Sequence, residues 1–323
     1  MGQGATLWTV GEQWSGRAYC DCMNAAAHGF ASNARTLTAA LSLLLLWPGS
    51  AALAVEGSSV VPAPGWRFRV FADNLPEVDN LAVGSDGSVY ATLEENAGKG
   101  RLVRIRNGKV ENLVKGLNRP DGLRFRQQRL IVTEEVSDGR VLEVDPATGK
   151  TRVLAVLNKP EGIAVLPDGD LLIAEDTVQG RVVRLKRNGA VETLLGGLNR
   201  PEGIALAGDG TLYIAETGTG RVLAWQDGQL RSVVNDLDEP DQVAIGPGGG
   251  LWITEDTPRG RLLQLKNGSL NVVLSGLHSP QGMAWLPNGQ LLLAEQGRGR
   301  ILLVMPEPAP TPVAEQVPAE RSD

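Results

Sequence analysis

Short apolar runs alternate with turn-forming residues throughout residues 66–305, and the pattern repeats six times at intervals of 39 to 42 residues. The clearest copy, residues 160–185, reads PEGIAVLPDGDLLIAEDTVQGRVVRL. A period near 40 with several short strands in each unit is typical of a propeller or a related array. Each copy starts at one marker position, which is occupied by Val78, Pro120, Pro160, Pro201, Pro240 and Pro280.

Each copy contains enough short apolar runs to form one blade. The third copy predicts four strands, at residues 162–166, 171–174, 181–186 and 191–195. The turns between them contain Asp-Gly and Asn-Gly pairs, in which glycine accepts a positive φ. Radial repetition of such sheets leaves few exposed edges. The sequence therefore predicts an all-β fold, a six-bladed β-propeller of four-stranded antiparallel blades.

The sixth copy supplies three strands, and its fourth strand is predicted to come from the N-terminal side of the repeats. Residues 66–75 (WRFRVFADNL) resemble residues 270–277 (LNVVLSGL), the last strand of the fifth copy. We expect residues 67–73 to pair with the third strand of the sixth copy and to close the ring.

The N-terminal segment is predicted to be a secretory signal peptide within residues 1–54. An apolar run at residues 36–47 follows Arg35 and precedes a small-x-small cleavage pattern at residues 52–54. Met23 gives a more ordinary start than Met1, so we predict that the assigned N-terminus is over-extended. The mature protein is then expected to be periplasmic or secreted, with no membrane span.

The remaining segments flank one domain at residues 66–305. Residues 55–65 are predicted to be a linker, and the Pro-rich residues 306–323 are predicted to be a disordered tail. We expect the domain to be a monomer.

Composition argues against several classes of function. Cys20 and Cys22 precede Met23, so the expected mature chain has neither a disulfide scaffold nor a thiol nucleophile. The formal net charge is −6 and the sequence has no basic stripe, so nucleic acid is not an expected partner. His278 is the one histidine after residue 54, and we expect a loop position for it. A zinc site and a Ser-His-Asp triad are therefore disfavoured.

An acidic residue follows the marker position in five of the six copies. If the first strand of each blade is innermost, these side chains crowd the mouth of the central channel, just before that strand begins. The six residues are Asp79, Asp121, Glu161, Glu202, Asp241 and Gln281.

A glutamate ends the second strand of most copies, and an arginine opens the third strand. Because they face each other across a short hairpin, we expect cross-strand or inter-blade ion pairs. In the first copy Thr92 is assigned to the glutamate position, and Glu94 or Glu95 could pair with Arg101 instead. The repeated residues are Glu134, Glu175, Glu216, Glu255 and Glu295, and Arg101, Arg140, Arg181, Arg221, Arg261 and Arg300.

Carboxylates that converge on one channel repel each other, and a bound cation removes the repulsion. Calcium accepts six to eight oxygen ligands in flexible geometry. We therefore hypothesise a divalent cation, with Ca²⁺ as the expected ion, and a substrate contact from Gln281. The alternative is that the acids only solvate a wide, wet channel. The candidate metal ligands are Asp79, Asp121, Glu161, Glu202 and Asp241.

The phrases PEGIAVLPDGDLLIAED and PEGIALAGDGTLYIAET resemble NHL-type repeats, and residues 66–305 resemble the senescence-marker-protein/gluconolactonase (regucalcin-like) propellers. The resemblance implies one divalent cation, usually calcium, at the channel mouth and hydrolysis of a lactone. It implies that Asp79 stands for a first-blade ligand, and that Asp241 is both a ligand and the general base. Glu161 and Glu202 stand where that family has asparagines. The PDG phrase occurs at Asp121, which makes Asp121 a second candidate base.

Two functions remain open at this point. One is a metal-dependent hydrolase that takes a lactone or a similar ester as a small-molecule substrate at the channel mouth. The other is a non-catalytic NHL-type propeller that binds a ligand or a protein partner through its loop face, which the regularity of the blades favours. The longer loop at residues 93–101 is a candidate rim for either site.

Overall fold

The computed structural model of the protein describes residues 59–308, which form an all-β ring of six sheets. Each sheet contains four antiparallel strands of one blade, and one sheet has an additional outer strand. This confirms the predicted six-bladed β-propeller. The predicted signal peptide, the alternative start and most of the predicted tail lie outside the described residues. Within residues 59–308 no helix is long and apolar enough to cross a membrane.

The strands follow one another in chain order. Two strands precede the repeats: β1 (Val61–Pro62) and β2 (Trp66–Ala72). Blade 1 contains β3 (Val78–Val83), β4 (Val89–Leu93), β5 (Gly100–Arg106) and β6 (Lys109–Leu117). Blade 2 contains β7 (Pro120–Arg126), β8 (Arg129–Glu134), β9 (Gly139–Val144) and β10 (Thr151–Leu157). Blade 3 contains β11 (Pro160–Val165), β12 (Leu171–Glu175), β13 (Gly180–Leu185) and β14 (Val191–Leu198).

The second half of the ring has the same order. Blade 4 contains β15 (Pro201–Leu206), β16 (Leu212–Glu216), β17 (Arg221–Gln226) and β18 (Gln229–Val234). Blade 5 contains β19 (Pro240–Ile245), β20 (Leu251–Glu255), β21 (Gly260–Lys266) and β22 (Ser269–Leu277). Blade 6 contains β23 (Pro280–Trp285), β24 (Leu291–Glu295) and β25 (Arg300–Pro306). Short 3-10 turns follow the second strands of blades 4 and 6, at Thr217–Thr219 and Gln296–Arg298.

The ring closes as the sequence predicts. Strand β2 pairs antiparallel with β25, from Trp66 opposite Pro306 to Ala72 opposite Ile301, and so completes blade 6. Strand β1, which lies in the segment predicted to be a linker, pairs with β22 as a fifth, outermost strand of blade 5. Because β2 leads directly into blade 1 and pairs with blade 6, the first and last blades are tied together without a covalent link.

Apolar side chains form six clusters, one between each pair of neighbouring blades. Between blades 3 and 4, for example, Leu172 and Ala174 pack with Ile204, Leu212 and Ile214. Second strands are almost wholly buried, because both of their faces are covered by neighbouring sheets. This packing explains the continuous apolar runs in the sequence.

A β-bulge lies near the start of the innermost strand in every blade. In blade 3, Pro160 is opposite Glu175 and Ile163 is opposite Ile173, so three steps on β11 match two steps on β12. The same shift occurs in the other five blades. We had expected the acidic position to lie just before the first strand. The structure places it inside that strand, one residue after the strand begins. A bulge re-aims a side chain, and here it lies at the channel mouth.

The glycine after the acid permits neighbouring innermost strands to approach closely. A Cβ on Gly162 would lie 2.3 Å from the carbonyl oxygen of Glu202, and one on Gly122 would lie 2.1 Å from that of Glu161. Such contacts are too short for any side chain to occupy. The Pro-acid-Gly phrase thus encodes the spacing of the strands.

The predicted glutamate–arginine pairs are confirmed in five blades. The Nη2 of Arg140 lies 2.6 Å from Glu134 Oε1, and the Nε of Arg300 lies 2.5 Å from Glu295 Oε2. Each glutamate is buried and also accepts the backbone N–H of the residue that enters its blade. These donors are Asn118, Asn158, Asn199, Asp238 and His278. The glutamate therefore fixes both a hairpin and the crossover from the preceding blade.

The assignment of Thr92 to this ring was wrong. Leu93 is opposite both Val78 and Arg101, which is the register that the glutamates have in the other blades. Arg101 pairs instead with Glu95 at 2.6 Å. The position that would donate the crossover N–H in blade 1 is Pro76, which has none. A glutamate in place of Leu93 would therefore lack the backbone donor that the others have.

Loss of the closing strand should open the ring. We expect a chain that begins at Asp73 to melt about 10 °C or more below one that begins at Gly65. The loss of the β2 contacts removes several kcal/mol of apolar burial and exposes the edge of β25. Thermal unfolding followed by circular dichroism measures the difference, and equal midpoints would contradict the proposed closure.

The glutamate ring should contribute to stability through buried acceptors. We expect Glu175→Leu to lower the free energy of unfolding by about 1–3 kcal/mol, because it leaves the Asn158 N–H and the Arg181 guanidinium without their acceptor. The control Glu192→Leu removes an exposed ion pair with Lys186 in the same blade and should cost less than about 1 kcal/mol. Equal losses in urea denaturation would show that the buried position has no special role.

Candidate metal centre

A cavity of about 360 Å³ lies at the mouth of the channel, on the face where the innermost strands begin. Ten carboxylates and three basic side chains line it, so carboxylates are in large excess. All six residues predicted from the post-marker position line this cavity, namely Asp79, Asp121, Glu161, Glu202, Asp241 and Gln281. The structure therefore brings together every residue that the sequence selected, and each is buried.

Three positions of each repeat supply the lining. The first is the post-marker residue in the bulge. The second is the residue that follows the second strand, which is Glu94, Glu135, Asp176, Thr217, Asp256 or Gln296 in blades 1 to 6. The third is the residue before the marker, which lines the cavity in blades 2 to 5 and has a positive φ of 45° to 51° in all six blades. These six residues are Glu77, Arg119, Lys159, Arg200, Glu239 and Ser279.

The left-handed backbone before the marker is costly for residues other than glycine. Repetition of this conformation six times means that the surrounding hairpins impose it. In blades 2, 3 and 4 it places a basic side chain beside the acids. The repeat pattern of the sequence did not identify Arg119, Lys159 and Arg200 as part of the site, because the position that they share does not carry a cation in every blade.

These three basic residues join the acids of blades 1 to 4 in one chain of ion pairs. Arg119 donates from Nε to Glu94 at 2.7 Å and lies 2.5 Å from Glu135. Lys159 lies 3.1 Å from Glu135 and 3.3 Å from Asp176. The chain ends where Arg200 contacts Asp176 at 3.3 Å and Glu202 at 2.7 Å.

The acids divide into two groups that could each hold a cation. In the first group, carboxylate oxygens of Asp79, Glu94 and Asp121 lie within 4.8 Å of one another. The side-chain amide of Asn80 bridges Asp79 and Asp121 at 2.9 and 3.0 Å, and the amide of Gln296 donates to Asp79 and Glu94. Neutral amides and Arg119 therefore already satisfy much of this group.

The second group consists of Glu161, Glu202 and Asp241, whose oxygens also lie within 4.8 Å of one another. All three are buried. Glu202 accepts hydrogen bonds from Arg200 and from the hydroxyl of Thr217. By contrast, the Oδ1 atom of Asp241 is buried and has no hydrogen-bond partner among the described residues. An unsatisfied buried carboxylate oxygen is costly, so this group has the stronger demand for a cation.

Burial and mutual repulsion raise the pKa of these carboxyl groups. Burial, followed by the charges of Asp121, Glu202 and Asp241, raises the pKa of Glu161 well above its ordinary value. Burial raises the pKa of Glu202 to about 8, although Thr217 and Arg200 act in the opposite direction.

The pKa is also raised at the other three predicted metal ligands, Asp79, Asp121 and Asp241. Burial, with the charges of neighbouring acids, raises the pKa values of Asp79, Asp121 and Asp241 well above their ordinary range. A raised pKa strengthens the hold of these oxygens on protons, so a metal ion must compete with protons for them. A hard divalent cation fits this donor set, because every available ligand atom in the second group is a carboxylate oxygen.

The spacing is also compatible with one ion. Calcium–oxygen distances are about 2.3–2.6 Å, so two oxygens bound to one Ca²⁺ lie up to about 5 Å apart. The oxygens of Glu161, Glu202 and Asp241 satisfy this limit as they stand. Gln281 lies in the same lining, and its buried Oε1 also lacks a partner among residues 59–308.

Two other sequence expectations can be located. His278 lies between β22 and β23, where its Nδ1 lies 3.0 Å from the carbonyl oxygen of Gly297, and it does not line the cavity. The longer loop of the first copy contributes Glu94 to the cavity wall. The loop therefore takes part in the mouth, as expected for a rim.

The raised pKa values set the direction of a pH effect on stability. A carboxyl with a higher pKa in the folded state retains a proton that the unfolded chain loses, so stability falls as pH rises between the two values. For Glu202 that interval runs from 4.5 to about 8. In the presence of a chelator, we expect the melting temperature to fall by several degrees between pH 5 and pH 8.

Calcium should oppose this fall, with its largest stabilisation at pH 8, since the ion competes with protons for the same oxygens. Glu202→Gln should flatten the profile, whereas the exposed Glu192→Gln should leave it unchanged. Differential scanning fluorimetry across the range tests this, and a melting temperature that rises from pH 5 to pH 8 in chelator would refute it.

Comparison with known proteins shows similarity in fold. No protein-family model matches the chain, and no curated protein matches it in sequence. Solved structures do match. A gluconolactonase from Xanthomonas campestris has a TM-score of 0.65 and 20% identity, with 76% of this chain and 91% of that chain covered.

Two further structures show how widely this fold is used. A luciferin-regenerating enzyme has a TM-score of 0.64 and 13% identity, over 74% of this chain and 95% of that one. Virginiamycin B lyase from Staphylococcus aureus has a TM-score of 0.55 and 15% identity, over 74% and 99%. The chain thus has the fold of gluconolactonase-like six-bladed propellers, as its repeats predicted.

Proposed function

We propose that the protein is a metal-dependent hydrolase that opens a lactone or a similar ester at the channel mouth. The observation that carries the proposal is the convergence of Glu161, Glu202 and Asp241, buried and within 4.8 Å, with one oxygen of Asp241 unpartnered. The fold similarity to a gluconolactonase supports the reaction class. A bound Ca²⁺ would polarise the substrate carbonyl and offset the negative charge that develops on its oxygen.

Glu161, Glu202 and Asp241 are assigned as ligands of the ion. Asp79 and Asp121 stay as candidate ligands of the second acidic group, which already has hydrogen bonds from Asn80 and Gln296. Where related propellers are expected to have asparagine ligands, this chain has glutamates. A more anionic site of this kind should bind the ion more tightly and lower the Lewis acidity available to the substrate.

Asp121 and Asp241 are the candidate general bases. A general base must accept a proton from water, and burial with the charges of neighbouring acids raises the pKa of both carboxyls well above the ordinary value, which makes each carboxylate a stronger proton acceptor. Asp121 Oδ1 accepts from Asn80, while no described residue contacts its Oδ2. If Asp241 binds the ion, Asp121 is the carboxylate left to accept the proton.

During hydrolysis one proton moves from water to the carboxylate and then to the leaving oxygen. The water oxygen forms a bond to the lactone carbonyl carbon while its proton moves to the carboxylate. The ring C–O bond then breaks, and the proton passes to the departing ring oxygen to give a hydroxy acid. Gln281, whose buried Oε1 is unpartnered, is positioned to hydrogen-bond a substrate hydroxyl in the cavity.

The cavity also indicates the polarity of the substrate. Its lining is almost wholly polar and charged, with Arg119, Lys159 and Arg200 on one arc. Polyhydroxylated lactones suit such a wall better than long acyl lactones do. The apolar segment at residues 36–47 supports export of the protein. Calcium is abundant outside the cell, where calcium-binding modules function with dissociation constants of about 10⁻⁴–10⁻³ M.

Asp241→Asn tests the proposal directly. We expect this variant to weaken Ca²⁺ binding about tenfold or more in calorimetry, and to lower kcat/KM for sugar lactones about 100-fold or more. Asp236→Asn is the matched control, because Asp236 is an exposed neighbour with a positive φ that asparagine tolerates.

Two results would contradict the hydrolase. If the wild-type protein binds Ca²⁺ but hydrolyses none of a panel of sugar and acyl lactones, the non-catalytic propeller becomes the better interpretation. If calorimetry shows no Ca²⁺ binding at pH 8, the metal centre itself is refuted.

A further inference from the structure

A second cavity of about 390 Å³ lies in the central channel, where the innermost strands end. All six blades contribute to it, and its lining is apolar apart from one residue. Since a strand rises about 3.3 Å per residue, this cavity lies toward the opposite face from the acidic mouth. Its outer ring takes one large apolar residue from each blade: Val83, Phe125, Val165, Leu206, Ile245 and Trp285.

The exception in the lining is Arg124 of blade 2. By register it corresponds to an alanine in each of the other five blades: Arg124 is opposite Ile131, as Ala164 is opposite Leu172. The alanines are Ala82, Ala164, Ala205, Ala244 and Ala284, and all five line the same cavity. Five blades therefore fold with a methyl group at this position, and the fold does not require an arginine there.

The positive charge of the Arg124 guanidinium has no carboxylate partner and only one hydrogen-bond acceptor within residues 59–308. Its one hydrogen bond goes from Nη1 to the carbonyl oxygen of Leu123 at 3.3 Å, and no carboxylate there lies within ion-pair distance. Arginine has five N–H donors, so most of them lack a protein acceptor. Arg124 is half-buried as a whole residue, and burial lowers the pKa of its guanidinium from the ordinary value.

Other arginines of this region differ from Arg124 in this respect. Arg126, two residues later on the same strand, pairs with Glu143 at 2.6 Å. Arg129 also pairs with a carboxylate, Asp145. An uncompensated cation in an apolar channel is therefore specific to Arg124, and such a group is the kind that fixes a ligand in an otherwise apolar pocket.

We propose that this cavity binds a small organic monoanion, a monocarboxylate with an apolar body, whose carboxylate pairs with Arg124. An uncharged apolar ligand would leave the guanidinium without an acceptor. A polyanion would bring charges for which the lining has no further cation. A planar guanidinium matches a carboxylate through two parallel hydrogen bonds, while Phe125 and Trp285 supply apolar contact for the body.

Octanoate and octanol form a matched pair of probes, because they share the chain and differ in the charge. Calorimetric titrations of the full chain should be run in a chelator, so that the acidic mouth holds no ion that could bind a carboxylate. We expect octanoate to bind about tenfold or more tightly than octanol. Arg124→Ala, which restores the residue of the other blades, should abolish that preference.

Stability separates a binding role from a structural one. Removal of a half-buried charge that has no carboxylate partner among the described residues should leave the melting temperature of Arg124→Ala equal to or above that of the wild type. Arg124→Met, which keeps the length of the side chain, should behave in the same way. Arg152→Ala is the control for net charge, because Arg152 is exposed on the outer strand of the same blade, and it should bind octanoate like the wild type.

Three outcomes would overturn the proposal. The first is equal affinity of the wild type for octanoate and octanol, including no detectable binding of either. The second is wild-type octanoate affinity in Arg124→Ala. The third is a melting temperature of both Arg124 variants well below that of the wild type, which would assign Arg124 to the structure of the blade.

Discussion

The close approach of neighbouring innermost strands at their bulges is the constraint on which the rest of this structure depends. At Gly122, Gly162 and Gly203 the space that a Cβ would need is filled by backbone of the next blade. Strands this close, each with an acid in its bulge, leave the carboxylates no route away from one another. Burial at the mouth, followed by the charges of these neighbouring acids, raises the pKa values of Glu161 and Asp241. The crowding of carboxylates at the channel mouth is thus a consequence of the close spacing of the innermost strands.

The chain compensates for this crowding on one side of the mouth more than on the other. Arg119, Lys159 and Arg200 neutralise acids in blades 1 to 4, and they do so from a strained backbone position. Blade 5 has Glu239 at that position, and its Asp241 has an oxygen without a partner among the described residues. The excess negative charge that a basic side chain offsets in three other blades is not offset in this way in blade 5. Our proposal assigns that role to an external cation.

Much of the fold was predictable because strand period and turn chemistry are local properties of the sequence. The six-bladed ring, its closure by β2 and the Glu–Arg pairs all follow from residues that recur at a fixed spacing. The post-marker acids were also found in this way. The assignment of Thr92 failed because the pairing register of blade 1 cannot be inferred from its residues alone, and Leu93 does not look like a replacement for glutamate.

The basic residues before the marker were missed for a different reason. A residue that precedes proline is expected in an extended conformation, so its left-handed φ could not be inferred from the sequence. Without that φ, nothing places Lys159 beside Glu135 and Asp176. The signal that could have identified this part of the site is variation in charge at one repeated position. That position is occupied by Glu77, Arg119, Lys159, Arg200, Glu239 and Ser279.

The same reasoning applies at the other end of the channel. Positions that stay constant from blade to blade describe what the ring needs, and alanine at five of six equivalent positions defines that need for the inner strand. Arg124 departs from it with a half-buried charge that pairs with no carboxylate among the described residues. A repeat protein supplies its own control for such a residue, because five copies of the same blade show what the fold would accept in its place. The two ends of the channel therefore carry charges of opposite sign, acidic at the mouth and basic within the apolar segment, and our two proposals assign to each end a ligand of the other sign.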